Sequence, residues 1–129
     1  MRTTTVRVAL LAALALAPGM ALAADPNFGS AEVQRNFRFD YRVGPDRSGR
    51  PVVWGYVYND YGSAAGRVRM LVEEVDGQGR AVGQSRAWLP GTIPGKQRAY
   101  FEVPVTNLAG TYRVTLESFQ WEQGTGRND

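Results

Sequence analysis

The chain has 129 residues, with 15 Lys and Arg against 12 Asp and Glu, and it contains no histidine and no cysteine. That composition removes Ser-His-Asp and Cys-His nucleophilic systems, histidine general bases, and zinc or copper sites of the usual ligand type. Disulfides are excluded as well, so the fold has to be held by packing.

Residues 1–23 read as an address. Arg2 and Arg7 precede an unbroken apolar run from Val8 to Ala17, Pro18-Gly19 ends it, and Ala21-Leu22-Ala23 supplies the small residues a signal peptidase needs. The run falls short of the roughly 20 residues that cross a bilayer. The expectation is cleavage after Ala23, export to a periplasm or beyond, and no membrane span afterwards. Without cysteine there is no lipoprotein anchor. Loss of Arg2 and Arg7 takes the net charge from +3 to +1, and the remaining basic residues are spread among acids. A nucleic-acid partner calls for a basic stripe or patch, so none is expected. About 106 residues remain, the size of one domain. A chain of that length buries roughly 65% of its unfolded surface.

Residues 24–34 are polar and without period, and read as a flexible lead-in to a domain spanning residues 35–122. From Arg35 to Val43 the chain alternates, with Phe37, Phe39, Tyr41 and Val43 on one face and Arg38, Asp40 and Arg42 on the other. Gly44 to Arg50 is a turn by composition. Pro51 to Asp60 is the most strand-like stretch, placing Val53, Gly55 and Val57 on one side and Trp54, Tyr56 and Tyr58 on the other. Arg67 to Asp76 alternates with Val68, Met70 and Val72 together, and Asp76-Gly77-Gln78-Gly79 is a hairpin signal. A weaker strand follows from Arg80 to Leu89, then a loop that Pro90 and Pro94 keep out of any central ladder. Gln97 to Val105 sets Tyr100 against Phe101, Val103 and Val105. Thr111 to Trp121 is the last strand, with Tyr112, Val114 and Leu116 together. Residues 123–129 read as a disordered tail. Six or seven strands separated by turns, with no sustained helical period, predict an all-β antiparallel sandwich.

Gly55-x-Val57-x-Asn59, then Val68-x-Met70-x-Val72 leading to Asp76-x-x-Gly79, then Pro94-Gly95 running into Phe101-x-Val103, is similar to a known group. This spacing resembles the small exported immunoglobulin-like or fibronectin-like β-sandwich modules of bacteria, of the kind called FxLYD domains. Val75 stands before Asp76 where the naming motif has tyrosine. The resemblance implies fold and extracytoplasmic location, and brings no catalytic residue with it.

The remaining polar residues offer little chemistry. Glu73 and Glu74 are adjacent on a strand and point to opposite faces, so they cannot flank one bond. Glu102 and Glu117 share a side with Arg98 and Arg113, as solvated partners. Lys96, the one candidate for a Ser/Lys dyad, sits in a loop. Asp76-Gly77-Gln78-Gly79 lacks the further acidic ligands a calcium loop requires. No cofactor or metal is expected, and the expectation is a non-catalytic module. Its candidate partner-binding residues are Trp54, Tyr56 and Tyr58, an outward stripe that could anchor a protein or stack sugars. Two alternatives stand beside that one: long side chains such as Arg69, Arg98 and Arg113 cover the rings, or the faces are reversed and the rings are core. Trp88 and Trp121 read as edge plugs. The partner is then an envelope protein or, in the competing reading, a polysaccharide bound by a carbohydrate-binding module.

Overall fold

The computed structural model describes residues 28–122. The expected signal peptide, the start of the lead-in and the expected tail at 123–129 lie outside the described residues. Among the described residues six strands make two antiparallel sheets. Sheet A holds β1 (Phe37–Pro45), β2 (Pro51–Asn59) and β5 (Arg98–Pro104) in the order β1-β2-β5. Sheet B holds β3 (Ala65–Val75), β4 (Ala81–Trp88) and β6 (Thr111–Trp121) in the order β4-β3-β6.

One core lies between the sheets. Val53, Val57, Tyr41, Phe101 and Val103 reach it from sheet A, and Val68, Met70, Val72, Tyr112, Val114 and Leu116 from sheet B. The inward rows are those the alternation predicts. At Gly55, a side chain would strike the backbone of Asp40 and Tyr41 on β1, so glycine lets the two strands close together. Tyr41 is buried, and its hydroxyl donates to the Tyr112 carbonyl at 3.2 Å, tying the sheets together.

The lead-in differs from expectation. Ala31–Asn36 forms a short helix, α1, whose start is capped by Ser30 Oγ accepting from the Val33 amide at 3.1 Å. A helix of six residues is too short to reveal a period in sequence, and too short to persist alone. Burial of Val33 in the core holds it, and Glu32 accepts from Trp121 Nε1 at 2.9 Å.

Two hairpin turns share one construction. Asp46 Oδ1 accepts from the amides of Ser48 and Arg50, and Asp76 Oδ1 from those of Gln78 and Arg80. Gly49 and Gly79 close the turns at φ +86° and +80°. At the other corner, the Tyr112 hydroxyl donates to the Asn107 carbonyl at 2.7 Å and accepts from its amide at 3.2 Å. This anchors the crossing from β5 to β6.

Candidate functional site

Because Val53 and Val57 are buried, Trp54, Tyr56 and Tyr58 stand on the outer face of sheet A, each half-buried. The faces are therefore not reversed. Register places one residue of β1 and one of β5 beside each ring: Arg38–Tyr58–Arg98, Asp40–Tyr56–Tyr100 and Arg42–Trp54–Glu102. Directly opposed side chains on one face are close enough to interact. Here they do so mainly as cation–π pairs.

Arg38 lies 4.5 Å from the Tyr58 ring centre, Arg98 lies 4.0 Å from that of Tyr56 and 6.0 Å from that of Tyr58, and Arg42 lies 5.6 Å from that of Trp54. The expected cover is thus real in kind but different in members. Of the three arginines expected there, Arg98 alone is on the stripe. Arg69 instead lies over Trp88, and Arg113 over Phe28, because both belong to sheet B. Arg38 and Arg42 take the place because β1 is the neighbour of β2, which only strand order reveals.

Charge on this face is incompletely matched. Arg38 forms a two-point pair with Asp60 at 2.7 and 3.0 Å, which raises the Arg38 pKa and lowers that of Asp60. Arg42, Arg98 and Glu102 have no oppositely charged group within 4.0 Å among the described residues. Arg98 donates instead to the Tyr58 hydroxyl at 3.3 Å, and Glu102 accepts from the Tyr100 hydroxyl at 3.2 Å. Burial, then the bond to Glu102, pushes the Tyr100 pKa up. Asp40 Oδ1 is buried within the array and accepts no hydrogen bond from the described residues.

On the outer face of sheet B two carboxylates gather three arginines. Arg113 pairs with Glu73 at 2.7 Å, Gln84 donates to the same carboxylate at 2.6 Å, and Arg86 and Arg69 reach Glu117 at 2.8 and 3.5 Å. Glu117 therefore does not serve Arg113. Glu74 lies on the opposite side of β3 from Glu73 and accepts from Asn107, as the alternation requires.

Two hollows border β5. One of about 300 Å³ lies between Trp54, Tyr100, Glu102 and the β1–β2 turn; the other, of about 320 Å³, lies between β5 and the end of β4, with Met70, Leu89 and Phe101 in its lining. Trp88 stands at the second, 59% exposed, and so is no plug. Trp121 does pack, with ring centres 5.6 Å from Phe37, 4.9 Å from Phe119 and 4.5 Å from Tyr61. Lys96 is spent on the Asp60 carbonyl at 2.8 Å. Among the described residues no three acidic side chains gather where a cation could be held. Sequence reasoning missed Tyr100 and Glu102, whose only signal was their place in the outward row of an alternating strand.

No family model, curated protein or solved structure matches this chain.

Proposed function

We propose that this chain is a non-catalytic, exported binding module that docks onto a protein of the cell envelope through the outer face of sheet A. The observation that carries the reading is the contrast between the two outer faces. On sheet B, Glu73 and Glu117 hold Arg113, Arg86 and Arg69, whereas sheet A presents Trp54, Tyr56 and Tyr58 interleaved with arginines, two of which have no carboxylate within 4.0 Å among the described residues. Trp, Tyr and Arg are the residues enriched where protein interfaces concentrate their binding energy.

An immunoglobulin-like or fibronectin-like sandwich is the fold reading that accompanies it. Support comes from the order β1-β2-β5 against β4-β3-β6 and from the Tyr112 hydroxyl returning to Asn107 at the start of the last strand, the arrangement of a tyrosine corner. The leader at residues 1–23 supports export, and a mature N-terminus at Ala24, read by mass spectrometry, tests it.

The carbohydrate-binding alternative needs bare ring faces for sugar stacking, and guanidinium groups already lie over Tyr56, Tyr58 and Trp54. The deciding experiment immobilises wild type and Arg42→Ala/Tyr56→Ala in envelope extract. A protein bound by wild type, and at least about tenfold more weakly by the variant at unchanged circular dichroism, is the expected result. Equal retention by both, or binding of soluble polysaccharide that Trp54→Ala abolishes, overturns it.

A further inference from the structure

We propose that two copies of this chain associate through their β5 strands, joining two A sheets into one continuous sheet. The Asn59 amide donates to the Gln97 carbonyl and the Val105 amide to that of Pro51. In an antiparallel pair, residues alternate between bonding inward to the neighbour and pointing away. Ala99, Phe101 and Val103 therefore bond to β2, while the backbone groups of Arg98, Tyr100 and Glu102 face the free edge. Pro104 fits this parity, since proline is tolerated in a strand where its missing N–H would face outward.

The lead-in runs beside β6, an edge strand of sheet B. Phe28 lies against Arg113 and Gly29 against Thr115 on β6, and Val33 is buried beneath. The β5 edge instead borders the hollow beside Trp88, and it carries Tyr100, itself 49% exposed. Bare edges of this kind invite strand pairing.

Self-pairing is singled out by charge. Consider two β5 strands antiparallel about a two-fold axis, with Tyr100 opposite its own counterpart. Arg98 of each copy then faces Glu102 of the other, on the same outer face. These are the two β5 charges, and among the described residues neither has an oppositely charged group within 4.0 Å in its own copy. A symmetric interface has to be self-complementary in this way, and opposed unlike charges favour that register over its neighbours. Pro104 meets Lys96 at each end and terminates the pairing. The partner's strand would also cover Trp88 and Tyr100. Each copy would contribute its Trp54, Tyr56 and Tyr58 row to one doubled face, but the pairing does not depend on that face binding anything.

The chain has no native cysteine, which makes the register directly testable. Residues facing each other in a bonded antiparallel pair have Cα atoms about 5.5 Å apart, within disulfide reach. Under mild oxidation Tyr100→Cys is expected to cross-link into a covalent dimer far faster than Val82→Cys, an exposed control on β4. Sedimentation equilibrium of the protein without introduced cysteines should show reversible dimers. Arg98→Glu and Glu102→Arg should each weaken them at least about tenfold, and the double variant should restore them, because the swapped charges again oppose. Restoration also separates this from loss of the Arg98–Tyr56 contact, which the double variant does not repair. A monomer at every concentration, Tyr100→Cys cross-linking no faster than Val82→Cys, or a double variant no better than the singles overturns the proposal.

Discussion

Asn59 is buried at the end of β2, yet its amide is fully employed. Its Nδ2 donates to the carbonyls of Ser63 at 2.8 Å and Ile93 at 3.0 Å, and its Oδ1 accepts from the Tyr61 amide at 2.9 Å. One side chain thus fastens the β2–β3 loop to the β4–β5 loop. Asn59→Ala should cost about 2–4 kcal/mol, measured as a lowered urea midpoint at unchanged slope, because it leaves buried carbonyls without donors. Glu73 makes a second prediction. Burial by itself would raise its pKa, but the hydrogen bonds from Gln84 and Arg113 prevail and lower it. A carboxylate with a lowered folded pKa contributes stability that is complete above its unfolded value of about 4.3. That contribution is lost as pH falls through the lower folded value. Wild type should therefore lose more stability than Glu73→Gln between about pH 5 and pH 2, read from chemical denaturation at each pH.

At the scale of elements, the twin turns show how a short motif fixes register. Asp46-Arg47-Ser48-Gly49-Arg50 and Asp76-Gly77-Gln78-Gly79-Arg80 place aspartate first and glycine fourth. In both, the aspartate amide donates to the carbonyl of the closing arginine, at 2.8 and 2.9 Å, and the glycine amide donates back, at 3.0 and 2.9 Å. Backbone hydrogen bonds from the closing arginines are the main reason both aspartates have lowered pKa values. Gly49→Ala and Gly79→Ala should each cost about 1–2 kcal/mol, because a side chain is strained at positive φ. Gly77→Ala should change little, since φ is not positive there and the position faces open space. Thermal melts of the three variants check this. The two losses should add, as the turns share no partner.

For the whole molecule, the consequence of one core shared by both sheets is joint opening. Val57 in sheet A and Val72 in sheet B are buried in the same cluster. Their amides should exchange with solvent at free energies within about 1 kcal/mol of each other and of global unfolding. Native-state hydrogen exchange would show earlier loss of one sheet if the layers were independent.

Much of this was legible in the sequence because strand periodicity is a local property. Phe37 and Tyr41, Val53 and Val57, Val68 to Val72, Phe101 and Val103, and Tyr112 to Leu116 declare their buried side by alternation alone. Turn residues do the same through their backbone preferences. Alternation alone therefore gives an all-β chain and which side chains share a face, whereas burial of Val53 and Val57 is what turns Trp54, Tyr56 and Tyr58 outward. Tertiary structure decided what alternation does not encode, namely which strands are neighbours. That β1 and β5 flank β2 is why Arg38, Arg42 and Arg98 lie over the stripe while Arg69 and Arg113 serve the opposite sheet. It is also why Glu102 has no cation within 4.0 Å among the described residues and Trp88 stands exposed, and why α1 forms at all, since Val33 finds its burial in the shared core. Periodicity assigns a side chain to a face, but contacts between faces depend on pairings across tens of residues, and those are settled by packing the whole core at once.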